Sequence, residues 1–116
     1  MRPLPTQIKE DLAAFYEDPN HLEKLVQQVI KDLEWRDDVT ADSLADLYSL
    51  IYGFFDAKSG DSQVLSVLYR IDVPEDRVTA ALESGEFETI AELVAVHVLL
   101  REAQKVFFRV NYSQNS

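Results

Sequence analysis

An all-α fold, a compact single-domain bundle of five or six helices, is what this sequence predicts, and three observations carry the prediction. Glycine and proline are scarce, 3 and 4 in 116 residues, whereas an all-β chain needs turn residues every eight to twelve positions or so. Apolar residues recur three, four and seven positions apart in nearly every segment, the spacing of one helix face. Short polar cap residues, with glutamate three positions on, precede several of those segments.

Pro3 and Pro5 keep the first residues out of a helix. Ile8, Leu12, Ala13, Phe15 and Tyr16 then form the stripe of a helix over 6–17, which Asp18-Pro19 ends because a residue before proline avoids the α region. Asn20 with Glu23 reads as a capping box for a second helix, whose inner face is Leu22, Leu25, Val26, Val29, Ile30 and Leu33. The connection WRDDVTADS offers Asp37, Asp38, Thr40 and Asp42 as caps for a third helix over 41–55. That helix carries Leu44, Leu47, Tyr48, Leu50, Ile51, Tyr52, Phe54 and Phe55 around most of its circumference. A helix so apolar is central to its bundle or half of an interface.

DAKSGD, 56–61, is the most turn-like part of the chain, with Gly60 suited to a left-handed position. VLYRIDVPEDRV, 67–78, is ambiguous: Val67, Tyr69, Ile71 and Val73 alternate like a strand, yet Val64, Leu65, Val67, Leu68 and Ile71 fall at helical spacing. No other segment offers a partner strand, so a helix over 62–70 is expected. Asp72 then caps a helix over 74–84 with Pro74 in its first turn. Val78, Ala81 and Leu82 should point inward, and Gly85 should end that helix. Thr89 with Glu92 opens the last helix, over 89–110, an apolar spine about 30 Å long at the standard rise. One domain over 1–116 is expected, with 1–5 and 111–116 flexible.

At 47% apolar and 28% charged residues the composition is that of an ordinary globular protein. The absence of cysteine excludes disulfides, thiol nucleophiles and thiolate metal sites. MRPLPTQIKEDL has no apolar signal core, and no apolar run approaches the roughly 20 residues of a membrane span, so a soluble cytoplasmic protein with no membrane partner is expected. The net charge of -10 disfavours nucleic acid as a partner. Its distribution is uneven: residues 101–116 hold three basic side chains and one acidic.

Catalytic and metal-binding patterns are missing. His97 has Leu93, Val94, Leu100 and Arg101 at three and four residues, and Glu92 is five away, so it reads as a hydrogen-bonded core histidine. His21, at a helix start, should face solvent. Two histidines without a paired nucleophile leave triad chemistry nothing to work with. Asp37, Asp38, Asp42 and Asp46 lack the glycine and terminal glutamate of a calcium loop, and Ser59-Gly60-Asp61-Ser62 lacks the lysine of a phosphate loop. No cofactor and no metal are assigned.

Partner-binding candidates remain. Arg101, Lys105 and Arg109 repeat every four residues, a docking stripe for an acidic partner, or else cations placed where the helix dipole favours them. Adjacent aromatics on a helix point about 100° apart, so one of Phe54 and Phe55, and Phe108 beside Phe107, should face outward. The leading expectation is a non-enzymatic protein–protein interaction module, a homodimer being one form of it. The alternative is an acidic inhibitor or immunity-type protein that presents the carboxylates of WRDDVTADSLAD, and those of the helix over 74–84, to a basic partner. A helical small-ligand binder comes third.

Overall fold

Side-chain caps mark the starts of three of the described helices. In a computed structural model describing residues 2–57, 67, 70, 71 and 73–114, the described residues form α1 (Glu10–Phe15), α2 (Pro19–Leu33), α3 (Leu44–Asp56), α4 (Glu75–Ser84) and α5 (Ile90–Gln114). None of them is in a strand. Val67 and Arg70 are helical, and the Ile71 N–H donates to the Val67 carbonyl at 3.1 Å, the four-residue bond of a helix. The remainder of the expected 62–70 helix, the Gly60 turn and the Asp72 cap lie outside the described residues.

α2 starts at Pro19 under Asp18, not at Asn20. The Asp18 carboxylate accepts from the Asn20 N–H at 2.8 Å, and Pro19 sits at the first helical position, where its missing N–H costs nothing. Ser43 caps α3 by accepting from the Asp46 N–H at 3.0 Å, while Asp46 reaches back to the Asp42 N–H at 3.0 Å. At α5, Thr89 Oγ1 accepts from the Glu92 N–H at 3.1 Å, as its sequence position suggested. α1 is shorter than expected, because the Ile8 N–H bonds back to the Pro5 carbonyl in a turn. α5 is longer, running through the tail to Gln114, with Asn111 Nδ2 donating to the Phe107 carbonyl at 2.7 Å.

Buried positions on α5 run without a break from Leu93 to Leu99, so this helix is enclosed on every side over two turns. It packs most extensively on α3, then on α2 and α1. Leu47, Ile51 and Phe55 of α3, Leu25 and Val29 of α2, and Val94, Val98 and Val106 of α5 are sealed from solvent. Burying a side chain of that size is worth about 1.5–3 kcal/mol. α1 is pinned from the side: the Tyr16 hydroxyl donates to the Ala103 carbonyl of α5, and Phe15 meets Phe107 edge to face at 4.9 Å. α4 is peripheral. Val78 and Ala81 are half-buried, but Leu82, expected inside, is 49% exposed. Gly85 ends α4 at φ 70, the left-handed position only glycine takes without strain.

The C-terminus of α2 uses the same conformation without glycine. Glu34 stands at φ 57, and the Trp35 N–H closes the turn onto the Ile30 carbonyl at 2.9 Å.

Candidate functional site

The three candidate cations of α5 are all engaged within the chain. Arg101 Nε donates to the Ile71 carbonyl at 3.3 Å. Lys105 Nζ lies 3.4 Å from Asp32 Oδ2 and 3.3 Å from Glu102 Oε2. Arg109 Nη2 donates to Gln28 Oε1 at 2.7 Å, and Gln28 Nε2 donates to Asp32 Oδ2 at 2.8 Å. The stripe is therefore largely a seam joining α5 to α2. Of the aromatic candidates, Phe55 is fully buried and cannot meet a partner while the fold is closed. Phe54 is half-buried, 5.4 Å from the Trp35 ring. Phe108 is 50% exposed and pairs with Tyr112 at 6.3 Å. Of the two adjacent pairs, Phe55 is the inner member on α3, and Phe108 the outer member on α5.

His97 is buried as expected: its Nδ1–H donates to the Leu93 carbonyl at 2.8 Å and its ring meets Phe87 edge-on at 5.8 Å. His21, expected in solvent, is stacked at 3.9 Å on Phe15, with Nδ1 2.9 Å from the Phe15 carbonyl. It closes the α1–α2 corner.

Glu102 went unremarked in the sequence. Its side chain is completely enclosed, and neither carboxyl oxygen has a well-aligned hydrogen-bond partner among the described residues. Burial, and then the adjoining Asp32 carboxyl, push its pKa from 4.5 up to about 8, against the pull of Lys105. Burial works against Asp32 too, but the adjoining Glu102 carboxyl, the hydrogen bond from Gln28 and the Lys105 charge hold its carboxyl below its ordinary value. The two acids thus contest one proton, which Glu102 keeps at neutral pH. The signal was available: Glu102 follows Leu99 by three and precedes Val106 by four, so it occupies an apolar slot of the helix.

Beside this seam, α2 separates two grooves. On one flank Lys24, Lys31 and Arg109, with Glu23, Gln27 and Val110, surround about 910 Å³. On the other, the N-terminal segment, α1, α2 and the 37–45 stretch enclose a cleft of about 670 Å³. Leu4, Ala13, Leu22, Val26, Val39 and Leu44 supply its apolar surface, and Glu17, Glu23, Asp37 and Asp42 its charges. No lysine, arginine or histidine lines it among the described residues. The acidic loop divides its labour. Asp38 pairs with Arg36 at 2.9 Å and Asp46 accepts from the Asp42 N–H, whereas the Asp37 and Asp42 carboxylates have no side-chain partner among the described residues.

The same connection also lines an apolar groove of about 410 Å³ between Trp35, Val39, Leu50 and Phe54, edged by Glu34 and Arg36. The Trp35 Nε1–H is shielded from solvent and has no acceptor among the described residues. Val39 is common to the groove and the cleft. Among the described residues no group of three or more metal-ligating side chains occurs, and no helix is long and apolar enough to cross a membrane.

No protein-family model matches this chain, and no curated protein or solved structure proves similar to it.

Proposed function

We propose that this chain is a protein-binding module whose acidic cleft takes a basic, partly apolar segment of a partner, the role sketched above for an acidic inhibitor. The single observation that carries this reading is a cleft joining an apolar floor to four carboxylates with no cation in its lining among the described residues. The Asp37 and Asp42 carboxylates, without a side-chain partner among the described residues, supply attraction that costs no broken ion pair there, and a net charge of -10 steers a basic partner from a distance. The engagement of Arg101, Lys105 and Arg109 inside the chain weighs against a docking stripe built on them. The reading requires no catalytic group.

A helical peptide of leucine and lysine serves as the probe, titrated calorimetrically at low and high salt. Replacing Asp37 and Asp42 by Asn should weaken binding about tenfold, roughly 1.4 kcal/mol, and flatten its salt dependence. The control carries the same charge change elsewhere, Asp76→Asn with Glu83→Gln on exposed α4. Equal losses in both variants would mean that only net charge attracts the peptide, and the cleft reading would fall.

A second reading, self-association, is favoured by the exposed Phe108–Tyr112 pair beside Arg109. Sedimentation over a range of concentrations tests it, with Phe108→Ser expected to abolish any dimer.

A further inference from the structure

We propose that the groove between Trp35, Val39, Leu50 and Phe54 is the anchor pocket of the same interface, taking one bulky apolar side chain of the basic segment held in the cleft. The inference rests on the reading of the cleft given above and adds to it the chemistry of the partner. A cationic segment alone is not enough; it must carry a leucine-sized or aromatic residue beside its charges.

Continuity is the first argument. Both cavities are lined by the one connection, 35–43, and share Val39, so a segment crossing the connection at Val39 meets carboxylates and then an apolar floor. Charge is the second. Arg36, on the edge of the groove, is paired with Asp38 at 2.9 Å, which offsets its repulsion of a cationic visitor, and among the described residues the nearby Asp37 and Asp42 carboxylates have no side-chain partner. Exposure is the third. Leu50 remains 39% exposed on a helix whose neighbouring apolar residues Leu47 and Ile51 are completely buried. An apolar anchor in a small pocket, bordered by polar contacts, is where binding energy concentrates in protein interfaces.

Trp35 is the sole tryptophan of the chain and lines the groove, so its fluorescence reports occupancy without a label. Two lysine-rich helical peptides are compared, identical except that one carries a phenylalanine where the other has alanine. The phenylalanine peptide should bind about tenfold more tightly, the worth of one buried apolar side chain, and should shift Trp35 emission. The alanine peptide should bind through the cleft with little shift. In Leu50→Ala, and in Leu50→Ser as a second variant, the advantage of phenylalanine should vanish while the alanine peptide binds as before. Circular dichroism melts establish that both variants are folded. Asp37→Asn with Asp42→Asn should weaken both peptides alike.

If both peptides bind wild type equally, the anchor proposal is overturned and the acidic cleft stands. A phenylalanine advantage that survives both Leu50 variants overturns it equally, since the anchor then sits elsewhere. If neither peptide binds, the cleft reading fails and the anchor pocket with it.

Discussion

Glu102 makes a prediction about pH that is opposite in sign to ordinary acid denaturation. The perturbation is Glu102→Gln, which keeps shape and hydrogen-bonding capacity but fixes the site as neutral. In the folded chain the carboxyl holds its proton up to about pH 8, whereas the unfolded chain releases it near pH 4.5. Between those values the folded state binds the extra proton, so its contribution is whole below pH 4.5, falls as pH rises, and is lost above about pH 8. At about 1.4 kcal/mol per pH unit, that window is worth roughly 4–5 kcal/mol, a large share of the 5–15 kcal/mol typical of a domain. The assay is urea denaturation followed by circular dichroism at several pH values in both proteins. Subtracting one stability curve from the other cancels the titration of every other carboxylate. Wild type should lose ground to Glu102→Gln steadily from pH 4.5 to about 8. A flat difference, or one that favours wild type as pH rises, would mean that Glu102 is ionised in the fold and paired with Lys105, and would refute the reasoning.

Three further substitutions test the packing. Phe55→Ala should cost about 3–5 kcal/mol by emptying a sealed core site, whereas Phe108→Ala, half in solvent, should cost under about 1 kcal/mol; urea midpoints separate them. Tyr16→Phe removes the bond to the Ala103 carbonyl and should cost about 1–2 kcal/mol, read as a lower melting temperature. Glu34→Gly relieves a left-handed non-glycine residue at the end of α2 and should stabilise by about 0.5–1 kcal/mol, raising that temperature by a few degrees.

Helix order and inner faces were legible in the sequence because periodicity is a local property. Leu22 through Leu33 mark the buried side of α2, and the run from Leu93 to Leu99, apolar but for His97, marks α5 as the enclosed helix. Boundaries were less legible. Asp18, Asn20 and Ser43 are all competent caps, and the choice among them turns on where proline and the next turn fall. Leu82 was misjudged because its spacing is right for an inner face, yet α4 sits at the edge of the bundle and has little to bury it against. The cation stripe was visible, but its partners lie 73 and 81 residues away, at Asp32 and Gln28. Only folding brings such separations together, and the same holds for the cleft, which is assembled from stretches between Leu4 and Ala45.

The connection between α2 and α3 has a consequence of its own. It is fastened at one end by the Trp35 N–H on the Ile30 carbonyl and at the other by Ser43 on Asp46, with the Val39 N–H tied to Arg36 midway. Its conformational freedom is surrendered when the chain folds rather than when something docks. A visitor therefore meets a finished shape, and association at this loop should proceed in one kinetic step, with no slow rearrangement after the first encounter.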